Sequence, residues 1–327
     1  MKEIISIRDI DEADFIIKWR MTEMCNGHCS YCIRPGEMTT VANTEKIKEV
    51  NKRMAEVALQ INRLLDEQPF HNVKIDLIGG EVSILDLQNI LSNLKAGKIK
   101  RINITTNLLR EADYYIDLAK ILHEKEIQIT ITASFHYEMQ SFEKYFEKIE
   151  KVRPYIDILA CEMVSNINDQ DLVVKFIDKC KEIGIDYQVE GDLRFDKLDD
   201  RRKGLIIDSS KKSKTLRYIV KYDDGTMQTY ITRNSLLMDP NNGSNRWQMA
   251  IHTNGMYCTQ SYNYFYLEYD HAVGRNKYSD DCKTRMPIEE FRILKPKRCP
   301  NNNCTLCGHM SLYRNYKDFE NDFKDQN

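Results

Sequence analysis

The chain has 327 residues, enough for one large domain and a smaller one, with 42% apolar and 30% charged residues and a formal net charge of −2. That balance gives no bulk electrostatic pull toward nucleic acid or acidic membranes, and no run approaches the ~20 apolar residues of a membrane span. Met1-Lys2-Glu3-Ile4-Ile5 carries an early acid and no apolar core, so the ten cysteines are expected to bind metal in a reducing cytoplasm rather than to form disulfides.

Residues 1–13 form an N-terminal segment. From there to about residue 195, apolar β-rich runs alternate with amphipathic helical ones. The strand candidates are 14–22, 73–81, 100–107, 127–136, 157–165 and 185–195; the helix candidates are 44–66, 85–94, 111–124, 142–152 and 169–183. In the first helix Ile47, Val50, Met54, Val57, Ala58, Ile61 and Leu65 recur at the three-and-four spacing of one buried face. Gly184 stands where a left-handed C-cap residue is expected. Six such units predict parallel strands with crossover helices, an α/β fold in the form of a partial (βα)6 TIM-like barrel over residues 14–200.

The alternation places the chemistry, because parallel α/β barrels carry their sites at the C-terminal ends of the strands. Directly after the first strand stands Cys25-Asn26-Gly27-His28-Cys29-Ser30-Tyr31-Cys32. Three thiolates on one short loop can hold three irons of a cubane cluster and leave the fourth open, since cubanes ordinarily take four cysteines. A zinc site would use the same thiolates with a fourth ligand such as His28. Gly79-Gly80-Glu81 closes the second strand, where two glycines also suit a tight turn. Thr105-Thr106-Asn107 ends the third strand, Ser134-Phe135-His136 the fourth, and Glu190 lies in the last. Polar residues at strand ends are equally suited to backbone hydrogen bonding.

After residue 195 the composition changes. Residues 201–250 are expected to be a connector, built on a β-hairpin in which 214–222 and 226–233 flank Asp224-Gly225 as a type I′ turn. That hairpin is placed over the open side of the barrel, as a candidate substrate wall. Residues 251–327 form a small cysteine-rich β-hairpin extension. Its thiols are Cys258, delivered by a turn at Asn254-Gly255, then Cys282, Cys299, Cys304 and Cys307. Four thiolates from two hairpins describe a zinc ribbon as well as an iron–sulfur site. Of the other two cysteines, Cys180 shares a helix face with Phe176 and Ile177 and reads as core. Cys161 sits mid-strand, where the pleat either packs it or aims it into the barrel as a hydrogen-atom donor.

The CxxxCxxC loop with Tyr31 before its third cysteine, followed by Gly79-Gly80-Glu81, resembles the radical S-adenosylmethionine (SAM) superfamily; Val82 stands where that family usually has proline. The resemblance covers residues 14–195. It implies a [4Fe–4S] cluster on Cys25, Cys29 and Cys32 whose open iron chelates SAM, with Gly79, Gly80 and Glu81 at the SAM ammonium and Ser134, Asn107 and Glu190 as ribose or carboxylate contacts. Residues 250–310 resemble the twitch domain, a shortened SPASM extension. A second, auxiliary [4Fe–4S] cluster is thereby implied on four of Cys258, Cys282, Cys299, Cys304 and Cys307.

The implied activity is reductive cleavage of SAM to a 5′-deoxyadenosyl radical and hydrogen abstraction from a substrate, with a flavodoxin- or ferredoxin-type electron donor. The leading expectation is modification of a ribosomally made peptide, by oxidation, crosslinking or epimerisation. Against it, about a dozen residues before the barrel are too few for a leader-peptide recognition domain. Oxidation or rearrangement of a small polar molecule, such as a sugar or aminocyclitol, is the alternative, and a non-catalytic zinc scaffold the alternative from another class. His136 and Cys161 are the candidate catalytic residues.

Overall fold

The computed structural model describes residues 3–9, 13–32, 44–164, 170–190, 218–230, 251–252, 255–259, 262, 264–270, 275–279, 285–287, 296–299, 303–304 and 311–323. In chain order these give β1 (Ile4–Asp9), β2 (Phe15–Thr22), α1 (Thr44–Asp66), β3 (Val73–Gly79), α2 (Leu87–Ser92), β4 (Ile99–Thr106), α3 (Ala112–His123) and β5 (Gln128–Phe135). Then follow α4 (Phe142–Val152), β6 (Ile158–Val164), α5 (Gln170–Glu182), β7 (Asp186–Glu190), β8 (Tyr218–Tyr222) and β9 (Met227–Tyr230). The remaining elements are β10 (Ile251–His252), β11 (Tyr257–Cys258), β12 (Tyr264–Asp270), β13 (Arg275–Ser279), β14 (Arg285–Pro287), β15 (Lys297–Arg298), β16 (Asn303–Cys304), β17 (Leu312–Tyr313) and α6 (Tyr316–Phe323).

Strands β2 to β7 lie side by side in chain order and pair in parallel, as the alternation predicts. One face of this sheet is apolar and packs on the helices: Phe15, Ile17, Trp19, Ile75, Leu77, Ile102, Ile104, Ile129 and Ile131 join Met54, Val57, Ile61, Leu118, Phe146 and Phe176 in one core. Burying aliphatic and aromatic side chains of this size contributes about 1.5–3 kcal/mol each, which fixes the register and therefore the positions of the strand ends. The helix ends are set locally. Gly184 takes φ +66°, and Ile185 N–H reaches back to Cys180 O at 2.9 Å, the left-handed cap expected there.

The sheet does not stop at β2. Strand β12 pairs in parallel with the free edge of β2, from Tyr264 opposite Ile16 to Glu268 opposite Arg20, and β13 and β14 continue it antiparallel. Residues of the C-terminal region therefore build part of the core sheet rather than a separate small unit alone. A second sheet has the order β15-β11-β17-β1-β8-β9. It joins the N-terminal strand to the C-terminal region around Ile7, Tyr218, Val220, Met256 and Leu312.

The β8–β9 hairpin departs from expectation in its turn. It pairs with β1, from Ile7 opposite Val220 to Asp9 opposite Tyr218, and so belongs to the second sheet. Its turn is not type I′, which needs a positive φ at both central residues. Gly225 alone has one, at +81°, and Tyr222 O accepts from Gly225 N–H at 3.0 Å, giving a three-residue loop with a left-handed glycine at its end. Among the described residues no helix is long and apolar enough to cross a membrane.

Candidate active site

The cysteine loop is carried by the end of β2. From Thr22 the chain runs through Glu23 and Met24 against the end of β3, where Gly80 N–H donates to Thr22 O and Glu81 N–H to Met24 O, both at 2.9 Å. A Cβ on Gly79 would come closer than 3.0 Å to Thr22 O, and one on Gly80 closer than 3.0 Å to Glu23 O and Met24 O. Neither glycine has a left-handed φ. The pair is therefore needed for backbone-to-backbone contact and not for the tight turn that is the other reading of two glycines.

Glu81 locks the same seam from the side. Its carboxylate is 2% exposed and accepts from Thr106 Oγ1 (2.7 Å), Ser83 N–H (2.9 Å) and Asn107 N–H (2.6 Å). Burial raises its pKa, and the backbone and side-chain donors oppose that rise. Thr106 Oγ1 also meets Tyr115 Oη at 3.0 Å. Asn107 is committed to the loop: its Nδ2 donates to Asn26 Oδ1 at 2.7 Å, and its Oδ1 accepts from Leu109 N–H at 3.1 Å.

Within the loop, Cys32 N–H donates to Cys29 O at 3.0 Å, and Cys25 Sγ accepts from Gly27 N–H at 3.3 Å. Burial raises the pKa of all three thiols. For Cys29 the rise reaches about 11, with a hydrogen bond from Tyr31 acting against it. The Tyr31 hydroxyl lies between the Cys29 thiol and His136 Nδ1, which is 3.1 Å away. Burial pushes the Tyr31 pKa up and the His136 pKa down, so both are uncharged near neutral pH. Among the described residues no three Cys, His, Asp or Glu side chains close on a single metal ion.

These groups meet in one cavity of about 300 Å³ at the C-terminal ends of β2 to β6. Cys25, Cys29, Cys32 and Tyr31 line it together with Gly79, Gly80, Glu81, Asn107, Ser134 and His136. Its size is at the lower end of ordinary ligand sites. Arg20, Glu23, Gly27, Thr105, Thr106, Ile78 and Val164 complete the wall. Arg20 and Glu23 form an ion pair there. Sequence reading places Thr105 and Thr106 at a strand end and passes over Arg20, Glu23, Ile78 and Val164, although Arg20 and Val164 sit within two residues of predicted strand ends and share with Ile78 the inward-facing parity of the pleat.

Cys161 is elsewhere. It is fully buried on the helix-facing side of β6, hydrogen-bonded to Cys180 and Tyr145, whose hydroxyl donates to Ala133 O at 2.7 Å. The pleat sends Val164 to the cavity and Cys161, three residues earlier, to the opposite face. A mid-strand cysteine that packs against helices is not placed to give a hydrogen atom to a substrate in this cavity. Cys180 is core, as expected. Glu190 is the register partner of Val164 at the end of β7.

In the C-terminal region, Tyr257 pairs with Arg298 and Cys258 with Lys297, and Cys299 N–H donates to Met256 O at 2.7 Å. This ladder and its continuation put Cys258 in β11 and Cys299, just after β15, at the same pleat parity. Cys299 is buried, Cys258 is half-buried, and neither is in a disulfide. Cys304 lies in β16, opposite Ile251. Cys282 and Cys307 lie outside the described residues.

No family model matches the sequence. No curated protein matches it significantly either. Solved structures similar to the chain include native anSMEcpe with bound AdoMet and Cp18Cys peptide, at 16% identity and a TM-score of 0.39, over 59% of this chain and 57% of that one. Native anSMEcpe with bound AdoMet gives 16% identity and 0.40 over 59% and 58%, and a histidine-tagged form of anSMEcpe with bound AdoMet gives 17% and 0.39 over 59% and 56%. The matches thus span a little over half the length of those structures.

Proposed function

We propose that this chain is a radical SAM enzyme, with Cys25, Cys29 and Cys32 each holding one iron of a [4Fe–4S] cluster and SAM completing the fourth. The observation that carries the reading is that the three thiols, the bare Gly79-Gly80 backbone, Ser134 and His136 line one cavity at the strand ends. When bound and reduced, the cluster supplies the electron that cleaves SAM to methionine and a 5′-deoxyadenosyl radical, which takes a hydrogen atom from the substrate.

The remaining work falls to the chain. Gly79 and Gly80 are the proposed backbone acceptors for the SAM ammonium, and their lack of side chains lets that backbone close on Thr22 to Met24. Glu81, already holding three donors, acts by fixing that backbone to β4. Ser134 is the proposed hydroxyl contact to ribose or carboxylate. With Cys29 as a thiolate, the Tyr31 hydroxyl donates to sulfur and accepts from His136 Nδ1–H. That arrangement leaves His136 Nε2 as the acceptor for a substrate or SAM proton.

The cysteine pattern resembling the twitch domain supports an auxiliary cluster on four of Cys258, Cys282, Cys299, Cys304 and Cys307. The ladder between β11 and β15 favours Cys299 as a member. The same resemblance supports a ribosomally made peptide as substrate and a flavodoxin- or ferredoxin-type donor. The test is 5′-deoxyadenosine formation from SAM and a chemical reductant. Wild type should make it, and the C25A/C29A/C32A variant should make none while keeping its far-ultraviolet circular dichroism. Product from that folded variant would refute the reading.

A further inference from the structure

A single turn after β5 meets the cysteine loop along its length. Met139 N–H and Gln140 N–H close the turn on His136 O at 2.9 and 3.2 Å. The Tyr137 ring lies 4.9 Å from the Tyr31 ring. Met139 Sδ accepts from His28 N–H at 3.4 Å, and Gln140 Nε2 donates to Asn107 O at 2.8 Å. At the centre is Glu138, whose Oε2 accepts from Ser30 N–H and whose Oε1 accepts from Ser30 Oγ, both at 2.6 Å.

Ser30 lies between Cys29 and Cys32, so a grip on both its backbone and its hydroxyl fixes the loop at the point from which two thiols project. Bonds to a charged acceptor are shorter and about twice as strong as neutral ones. Glu138 is exposed, and water competes for its oxygens. Contacts from Tyr137 and Met139 on either side keep the turn and loop in register while Glu138 holds Ser30. Its negative charge is also felt at Cys29.

We infer that Glu138 is the positioning residue of the Cys25–Cys32 loop, anchoring it at Ser30 while Gly79-Gly80 hold the chain before Cys25, and that its charge holds the loop's cluster at a lower reduction potential. The anchor stands on the Glu138–Ser30 geometry. Only the effect on potential rests on the proposed cluster. A fixed negative charge beside a cluster disfavours the added electron, and hydrogen bonding and net charge are the terms by which proteins set such potentials.

Full-length wild type, E138Q, E138A and S30A separate the two parts. Without metal, E138A should exchange the Ser30 amide at least tenfold faster and alkylate Cys29 and Cys32 faster, with E138Q and S30A intermediate. Exchange over β5 and α4 should not change, which separates loosening of the loop from misfolding. After anaerobic reconstitution with iron and sulfide, the midpoint potential of the N-terminal cluster should shift positive in E138Q and stay near wild type in S30A, which keeps the charge. Unchanged exchange and alkylation in E138A would overturn the anchor, and an unshifted potential in E138Q would overturn the electrostatic part. Faster exchange in protein that takes up no iron would support the anchor and refute the cluster reading.

Discussion

The two cysteine-bearing regions share a spacing signal and differ in what holds them. Cys25, Cys29 and Cys32 follow an eight-residue strand paired on both edges, and the loop is gripped by the Gly79-Gly80 seam, by Asn107 and by the turn at 136–140. Cys258 and Cys304 lie in two-residue strands, and Cys299 follows another. The first site is held by hydrogen bonds to a large packed core. At the second, the described thiols lie in or beside strands of two residues, and metal binding itself is expected to supply much of the local folding free energy.

The sharpest way to break this comparison is at the seam. Gly80→Ala puts a methyl group into the Glu23 and Met24 carbonyls, so the loop must move while the C-terminal cysteines are untouched. The expected outcome is a loss of SAM cleavage of roughly a hundredfold or more, since small misplacements at reacting groups are that costly. Metal retained at the C-terminal site should accompany it, read by iron analysis of the purified variant. Near-normal cleavage would mean that the cysteine loop is not positioned by this contact.

Chelation probes the other side. Removing metal from the full-length protein should speed hydrogen exchange by about tenfold or more over residues 255–259 and 296–299, with little change over β3 to β6. Equal loosening of both regions would erase the distinction drawn here. The smallest expected effect concerns a third kind of cysteine. Cys161→Ala removes a thiol packed against Cys180 and Tyr145 and should cost about 1–2 kcal/mol of stability while leaving 5′-deoxyadenosine formation unchanged. Loss of turnover in a variant of nearly normal melting temperature would return Cys161 to the chemistry.

Six strands and five helices were legible because each carries its own periodicity, and one-sided burial then fixes the register. The Cys25–Cys32 loop, Gly79-Gly80-Glu81, Ser134 and His136 converge because they occupy equivalent strand ends, a relation readable from alternation alone. What could not be read is set by distant partners. Strand β12 pairs with β2 across most of the length of the chain, and β1 pairs with β8 and β17, with no local mark of either. The three-residue turn at Asp223–Gly225 keeps the Asp-Gly signature of a two-residue one. Glu126 takes φ +59° after α3, where Gly would be the expected residue, and Ile127 N–H still reaches Leu122 O at 3.0 Å. The family resemblance implies Glu81 as a SAM contact, and the three donors around its carboxylate add what no sequence pattern marks, that it ties β3 to β4.

The most direct test of the central claim counts metal and sulfide. Anaerobically reconstituted wild-type protein should carry roughly eight irons and eight acid-labile sulfides per chain, and C25A/C29A/C32A about four of each. On the proposed reading an N-terminal cluster causes that difference, and the loss of four irons should coincide with loss of a reduced-cluster resonance that changes on adding SAM. Zinc in place of iron, or an iron content unaffected by the three substitutions, would contradict the account.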